Sequence, residues 1–258
     1  MGNDQTLIIG HRGAARFFPE NTMESFTRAL EIAPMIEFDV HLSRDGVPVI
    51  IHDATLERTT DGKGYVCRKT FTELQALDAG YAFSPDKNGK FPFRGKGLKI
   101  PRLEDLFLRF PDKMLAIEIK ENSPELTDRV MTLVRKYGAD RRCVIGSKHE
   151  KVSETMRVKY PENFRFWSQS EMVVAYLNYK RGAKPKTDAF AVASMPVHRP
   201  CGLHFDEKGF TAYLHEGKTK VFFWTVNQEA DMLRLAAQKV DGIITDDPFL
   251  AEKILKEV

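Results

Sequence analysis

Short apolar runs alternate with amphipathic stretches along nearly the whole 258-residue chain. The runs at 7–10, 36–42, 114–119, 143–146, 164–167, 189–193, 221–226 and 241–245 have strand length and are bounded by turn formers. Between them apolar residues recur at helical spacing. Leu126, Val130, Leu133 and Val134 form one stripe, and Met232, Leu233, Leu235 and Ala236 another. The last helix is predicted from about Pro248 to Lys256, with proline in its first turn. Eight strands, each followed by a helix, predict an α/β fold, a parallel TIM (β/α)8 barrel. A doubly wound open sheet is the alternative, but no Gly-x-Gly-x-x-Gly follows the first strand to mark a dinucleotide site.

One region breaks the rhythm. Residues 54–100, 47 in all, are rich in turn formers and charge and hold no barrel-like strand. So long a connection inside a compact domain is usually functional or a small subdomain. We read one domain over 1–258, with 54–100 inserted after a short strand at 47–51 that pairs back near the second strand. A short helix is predicted near 71–78. Asp45-Gly46 and Asp61-Gly62 mark tight turns. The "FPFRG" at 91–95 reads as the insertion's own small core in preference to a lid.

Composition narrows the classes. With 39 basic and 36 acidic residues the net charge is +3, and no basic block points to a nucleic-acid partner. No window reaches the roughly 18 consecutive apolar residues of a spanning helix, so no stable membrane insertion is expected. The first residues show no basic segment followed by a long apolar stretch. The expected location is therefore cytoplasmic, or periplasmic or secreted if a leader has been removed. Cys67, Cys143 and Cys201 lie far apart without a CxxC and read as small buried hydrophobes.

Polar residues gather where the chemistry of a parallel barrel resides, at the carboxyl-terminal strand ends. His11 and Arg12 follow the first strand, and His52 and Asp53 close the short one. Glu37 and Asp39 are two apart, as are Glu118 and Lys120, so each pair points to one side. Thr225 and Asn227 stand beside Trp224, and Asp246 and Asp247 end the last strand. Carboxylates on an apolar strand are costly to bury unpaired. From spacing alone two explanations stand level: salt bridges to Arg or Lys, or a hard divalent cation bound by Glu37, Asp39 and Glu118. Two histidines with Arg12 and Lys120 tilt the balance toward phosphoryl chemistry. A cation would neutralise the carboxylates, Arg12 would clamp a phosphate, and one histidine would take a proton while the other gives one. His41 is assigned a supporting role, and His149, His198, His204 and His215 a surface position. Asn21 and Glu24 resemble a capping box at the start of the first helix. Glu20 needs no further role on that reading. Asp53 is expected to orient His52 or its turn, and Asp246 to cap the Pro248 helix.

"HRG", "PENT", "IEFDV", "VPVIIHD", "IEIK", "WTVN" and "DGIITDDP", in this order from about Gly10 to Pro248, resemble the glycerophosphodiester phosphodiesterase family. Each motif is short; their order and spacing, with the insertion after "HD", are specific. The resemblance implies a TIM barrel hydrolysing small glycerophosphodiesters to sn-glycerol 3-phosphate and an alcohol, with one divalent cation, Ca²⁺ or Mg²⁺. It implies His11 and His52 as the acid/base pair and Arg12 as phosphate ligand. Glu37, Asp39 and Glu118 become metal ligands, Lys120 a phosphate or glycerol contact, and Trp224 an apolar wall. It also implies a first attack by the glycerol's own hydroxyl, giving a cyclic phosphate that water then opens. The chain departs from the family pattern at "IAPMIE", Ser43 and "GSKHE", and matches it poorly over 178–218, which bears on the alcohol side of the substrate. Two other readings are a lysophospholipase D or phospholipase-type enzyme on acylated substrates, and a phosphodiester-binding barrel without catalysis.

Overall fold

The structure is a computed structural model that describes residues 5–86, 89–197 and 202–256; His198 and Cys201 lie outside the described residues. The elements run β1 (Leu7–His11), α1 (Met23–Leu30), β2 (Met35–Leu42), β3 (Pro48–Ile50), α2 (Phe71–Ala76), α3 (Leu103–Arg109), β4 (Met114–Ile119), α4 (Pro124–Lys136) and β5 (Cys143–Gly146). They continue α5 (Glu150–Lys159), β6 (Phe164–Phe166), α6 (Gln169–Lys180), β7 (Ala191–Pro196), α7 (Lys208–Glu216), β8 (Lys220–Trp224), α8 (Glu229–Ala237), β9 (Gly242–Thr245) and α9 (Pro248–Leu255). Every strand expected from the apolar runs is present, β4 and β5 with the expected ends and the others with ends shifted by at most three residues.

Eight strands pair in parallel and close into a barrel. β1 is joined to β2 on one side, with His11 opposite Glu37, and to β9 on the other, with Ile9 opposite Ile244. β3 is the exception: it returns antiparallel on β2, Val40 opposite Ile50, by the tight turn at Gly46 (φ +79°). That hairpin carries His52 to the mouth.

The barrel interior explains where the polar residues go. Each barrel strand contributes one side chain to a buried plug: Ile9, Met35, Ala116, Val144, Phe166, Val192, Phe222 and Ile244. Side chains alternate along a strand, so the next inward positions are two residues further on. On five strands these are His11, Glu37, Glu118, Trp224 and Asp246. The plug thus serves as the floor of the mouth. The outward phase packs under the helices, as Phe38 and Ile145 do with Leu126 and Val130, and Val221 and Phe223 with Met232 and Leu235. Within the two stripes read from the sequence, Leu133 is only half-buried and Leu233 is exposed, because each lies at the edge of its helix's apolar face. Among the described residues no helix is long and apolar enough to cross a membrane.

In 54–100, Leu56, Val66, Leu74, Ala79 and Ile100 pack against Val49 and Ile51 of the hairpin. Phe93 of "FPFRG" stands edge-on to Phe83 (5.6 Å) and also to Phe18 of the β1–α1 loop (5.8 Å), so this stretch joins the inserted segment to the mouth. The helix here ends at Ala76, two residues short of expectation. Cys143 is buried, but Cys67 is exposed, on a short 3₁₀ turn (Val66–Arg68) whose buried anchor is Val66.

Two helix starts differ from the sequence reading. Thr22, not Asn21, caps α1, its hydroxyl accepting from the Ser25 amide. Asn21 is left-handed (φ +56°), a conformation that asparagine tolerates better than most residues, and its side chain points away from the helix. Asp247, not Asp246, caps α9, accepting from the Leu250 amide at 2.9 Å.

Candidate active site

At the end of β1 the backbone turns sharply. Arg12 (φ +52°) and Gly13 (φ +94°) are both left-handed. A Cβ on Gly13 would meet Ser25 Oγ at 2.3 Å, so α1 can approach only a glycine here. The Arg12 amide still donates to the Glu37 carbonyl at 2.8 Å, which extends the β1–β2 ladder and sends the guanidinium across the mouth.

There Asp39, 1% exposed, is gripped from three directions. Arg12 Nε lies 3.2 Å and Lys120 Nζ 3.3 Å away, and Asn21 Nδ2 donates to it at 2.9 Å. Burial works against its charge, but Arg12 and Lys120 outweigh burial and hold the carboxyl below its usual range. Glu37 has only weaker partners, the Arg12 amide at 3.4 Å and His11 Nε2 at 3.9 Å. Burial, reinforced by the Asp39 charge, pushes it up to about 8. Glu118 completes the set, with Lys120 Nζ 3.2 Å from its Oε1. One oxygen from each of Glu37, Asp39 and Glu118 lies within 4.8 Å of the others. Crowded carboxylates, one of them pushed toward its neutral form, and a donor set made only of oxygens suit a hard divalent cation. The two explanations left level by the sequence are not exclusive: Asp39 is salt-bridged and also belongs to a carboxylate triad able to hold a metal ion.

The histidines face this triad, each held from behind. His11 Nδ1 bonds Asp246 Oδ1 at 2.6 Å, while its Nε2 is 3.9 Å from Glu37. Burial disfavours its cation, but the Asp246 bond and the Glu37 charge raise its pKa overall. Asp246 is itself held by Asn227, whose Nδ2 donates to Oδ2 at 2.6 Å and whose Oδ1 accepts from the Asp246 amide and the Thr245 hydroxyl. His52 Nδ1 bonds Asp53 Oδ1 at 2.5 Å, as expected for an orienting Asp53. Burial lowers the His52 pKa, with Asp39 opposing only in part. His41 supports the hairpin, Nε2 meeting the His52 carbonyl at 3.1 Å and Nδ1 meeting Glu121 at 3.2 Å. Trp224, 42% exposed, is fixed by its Nε1 donating to the Ser194 carbonyl and presents its ring at the rim.

All eight residues singled out from the sequence thus lie at one mouth. Several partners were missed. Asn21 was assigned to a helix cap, whereas it bonds Asp39. Asp246 was assigned to α9, whereas it holds His11; the alternation continuing inward from Ile244 was the available signal. Glu20 is no bystander, since its Oε1 accepts from Arg12 Nη1 at 2.9 Å. Arg58, from the inserted segment, contacts both Glu20 and Asp53, and nothing in the local sequence signals it.

Oxygen donors that suit a hard cation, a guanidinium able to clamp a phosphate and two imidazoles able to move protons fit a barrel enzyme of the phosphoric diester hydrolase class. The profile of the glycerophosphoryl diester phosphodiesterase family matches residues 11–250, and the chain belongs to that family. A glycerophosphodiester phosphodiesterase of Caldanaerobacter subterraneus is 33% identical over 251 residues, 95% of each chain. The crystal structure of a glycerophosphodiester phosphodiesterase from Agrobacterium tumefaciens superposes with a TM-score of 0.76 at 29% identity, covering 96% of this chain and 99% of that one. The fold is matched more closely still, at TM-score 0.86 and 23% identity, by the glycerophosphoryl diester phosphodiesterase domain of a Mycobacterium tuberculosis protein, over 96% of this chain and 98% of that one.

Proposed function

We infer that the protein hydrolyses glycerophosphodiesters to sn-glycerol 3-phosphate and an alcohol, with Ca²⁺ or Mg²⁺ held by Glu37, Asp39 and Glu118. The observation that carries this reading is the convergence of that triad with Arg12 and two histidines above the barrel plug. The cation, when bound, supplies charge neutralisation and polarises a phosphate oxygen. The chain's own residues do the rest. Arg12 and Lys120 orient the phosphodiester, and Trp224 walls its apolar side. His11 and His52, each bonded through Nδ1 to a carboxylate, present Nε2 to the substrate and exchange protons with the attacking and leaving oxygens.

A second reading, activity on acylated substrates, is favoured by an aromatic edge at the rim. Phe17 and Phe249 are both exposed and pack edge-on at 5.8 Å, with the Arg16 guanidinium over Phe17.

One substrate panel tests both. Purified protein with Ca²⁺, with Mg²⁺ and with chelator should release glycerol 3-phosphate from glycerophosphocholine or glycerophosphoethanolamine, and lose that activity on chelation. Turnover of lysophospholipids alone would select the second reading. In the same assay His11→Ala should cost about 10²–10⁴-fold in kcat. Unchanged hydrolysis in that variant would refute the acid/base assignment, and no turnover of any substrate would point to a binding barrel.

A further inference from the structure

Arg58 lies outside the barrel strands, yet its guanidinium reaches both halves of the site. Nη1 and Nη2 donate to Glu20 Oε2 and Oε1 at 2.7 and 2.8 Å, a two-pronged fork, and Nε donates to Asp53 Oδ2 at 2.5 Å. Each of those carboxylates also holds a working residue. Asp53 Oδ1 bonds His52 Nδ1, and Glu20 Oε1 accepts from Arg12 Nη1. One planar cation therefore sits between the partner of the proposed proton carrier and the partner of the proposed phosphate clamp. We propose that Arg58 is a positioning residue that sets Arg12 and His52 in mutual register through Glu20 and Asp53, so that the inserted segment belongs to the catalytic apparatus. This rests on the roles given above to Arg12 and His52.

The chemistry requires arginine. Three N–H groups in one rigid plane fix both carboxylates at once, and an ammonium on a flexible stem cannot reproduce that geometry. Without the guanidinium, Glu20 and Asp53 would be two anions brought close with nothing between them. Asp53 would be free to turn and release the His52 ring, and Glu20 would pull on Arg12 without restraint. Arg58 is about half exposed, so water screens its ion pairs and their contribution to global stability is modest. Displacement of catalytic groups by about 1 Å, however, costs about 10²-fold in rate.

The test compares Arg58→Lys, Arg58→Gln, Glu20→Gln and Asp53→Asn, singly and in pairs, by steady-state kinetics and thermal melting. Arg58→Lys should melt near the wild type yet lose about 10²-fold in kcat/KM. Glu20→Gln should act mainly on KM and Asp53→Asn mainly on kcat, while Arg58→Gln moves both. The double variants with Arg58→Gln should be no worse than Arg58→Gln alone, because residues acting as one unit are not additive. Millimolar guanidinium ion should partly restore Arg58→Gln. Wild-type kinetics in Arg58→Lys, or full additivity, would overturn the proposal. A readout without substrate keeps this separate from the assigned activity. The ¹⁵N shifts of His52 should report a fixed Nδ1–H tautomer in the wild type and a mixture in Arg58→Gln. An unchanged tautomer in that variant refutes the role of Arg58, whether or not the wild type hydrolyses a glycerophosphodiester.

Discussion

His11 shows how much a single position depends on what lies behind it. Its Nδ1 is tied to Asp246, Asp246 to Asn227, and Asn227 to the Thr245 hydroxyl. The imidazole is thereby held by a chain of side chains at the carboxyl end of β9 and in the loop after β8. Asp246→Asn keeps the shape and removes the charge, so kcat should fall by about 10–100-fold, the range seen when a supporting hydrogen-bond partner is lost. Steady-state kinetics of the folded variant check this, and an unaltered kcat would show that His11 needs no such support. The residues in this chain were unequally legible. His11, Glu37 and Glu118 stand out because a polar residue on an apolar strand requires a reason. Asp246 and Asp247 look alike beside Pro248; only the inward phase set by Ile244 separates the one that faces the mouth from the one that caps the helix.

At the scale of elements, strands proved easier to read than the turns that join them. A run such as Leu115–Ile117 is apolar on both faces and is buried on both. A helix cap depends on backbone angles that the sequence leaves open. At "PENT" the left-handed turn at Asn21 moves the cap on by one residue to Thr22 and frees the asparagine amide for Asp39. The two neighbours should therefore fail differently. Thr22→Ala should cost about 0.5–2 kcal/mol in urea unfolding, with little change in turnover per folded molecule. Asn21→Gly keeps the backbone turn and removes the bond to Asp39, so it should reduce activity with little loss of the α1 start. Equal effects on activity would erase the distinction. Arg58 was illegible for a different reason: its partners lie 38 residues upstream and 5 upstream, and only the folded loop brings both to one guanidinium.

For the molecule as a whole, closure joins β1 to β9 across the chain, and an ion-pair cluster around β6 adds to its stability. Arg165 of β6 is buried between Glu171 (3.0 Å) and Asp188 (2.8 Å), with Ser153 also bonded to Glu171. Burial opposes the Glu171 charge, but Ser153, the Ser168 amide and Arg165 hold its pKa below the usual value. A carboxyl depressed in the folded state stabilises above its unfolded pKa, and that contribution is lost as pH falls through the folded value. Glu171→Gln should thus unfold at lower urea than the wild type at pH 7, by about 1–3 kcal/mol. The gap should close in acid, below the unfolded carboxyl pKa of about 4.3. A gap independent of pH would assign the loss to packing. The plug of one side chain per strand carries a different consequence. It leaves the barrel no back door. Whatever reacts above Ile9 and Ile244 arrives and departs through a single entrance. The opposite end takes no part in that passage, so the protein tethered there to a surface should keep its turnover.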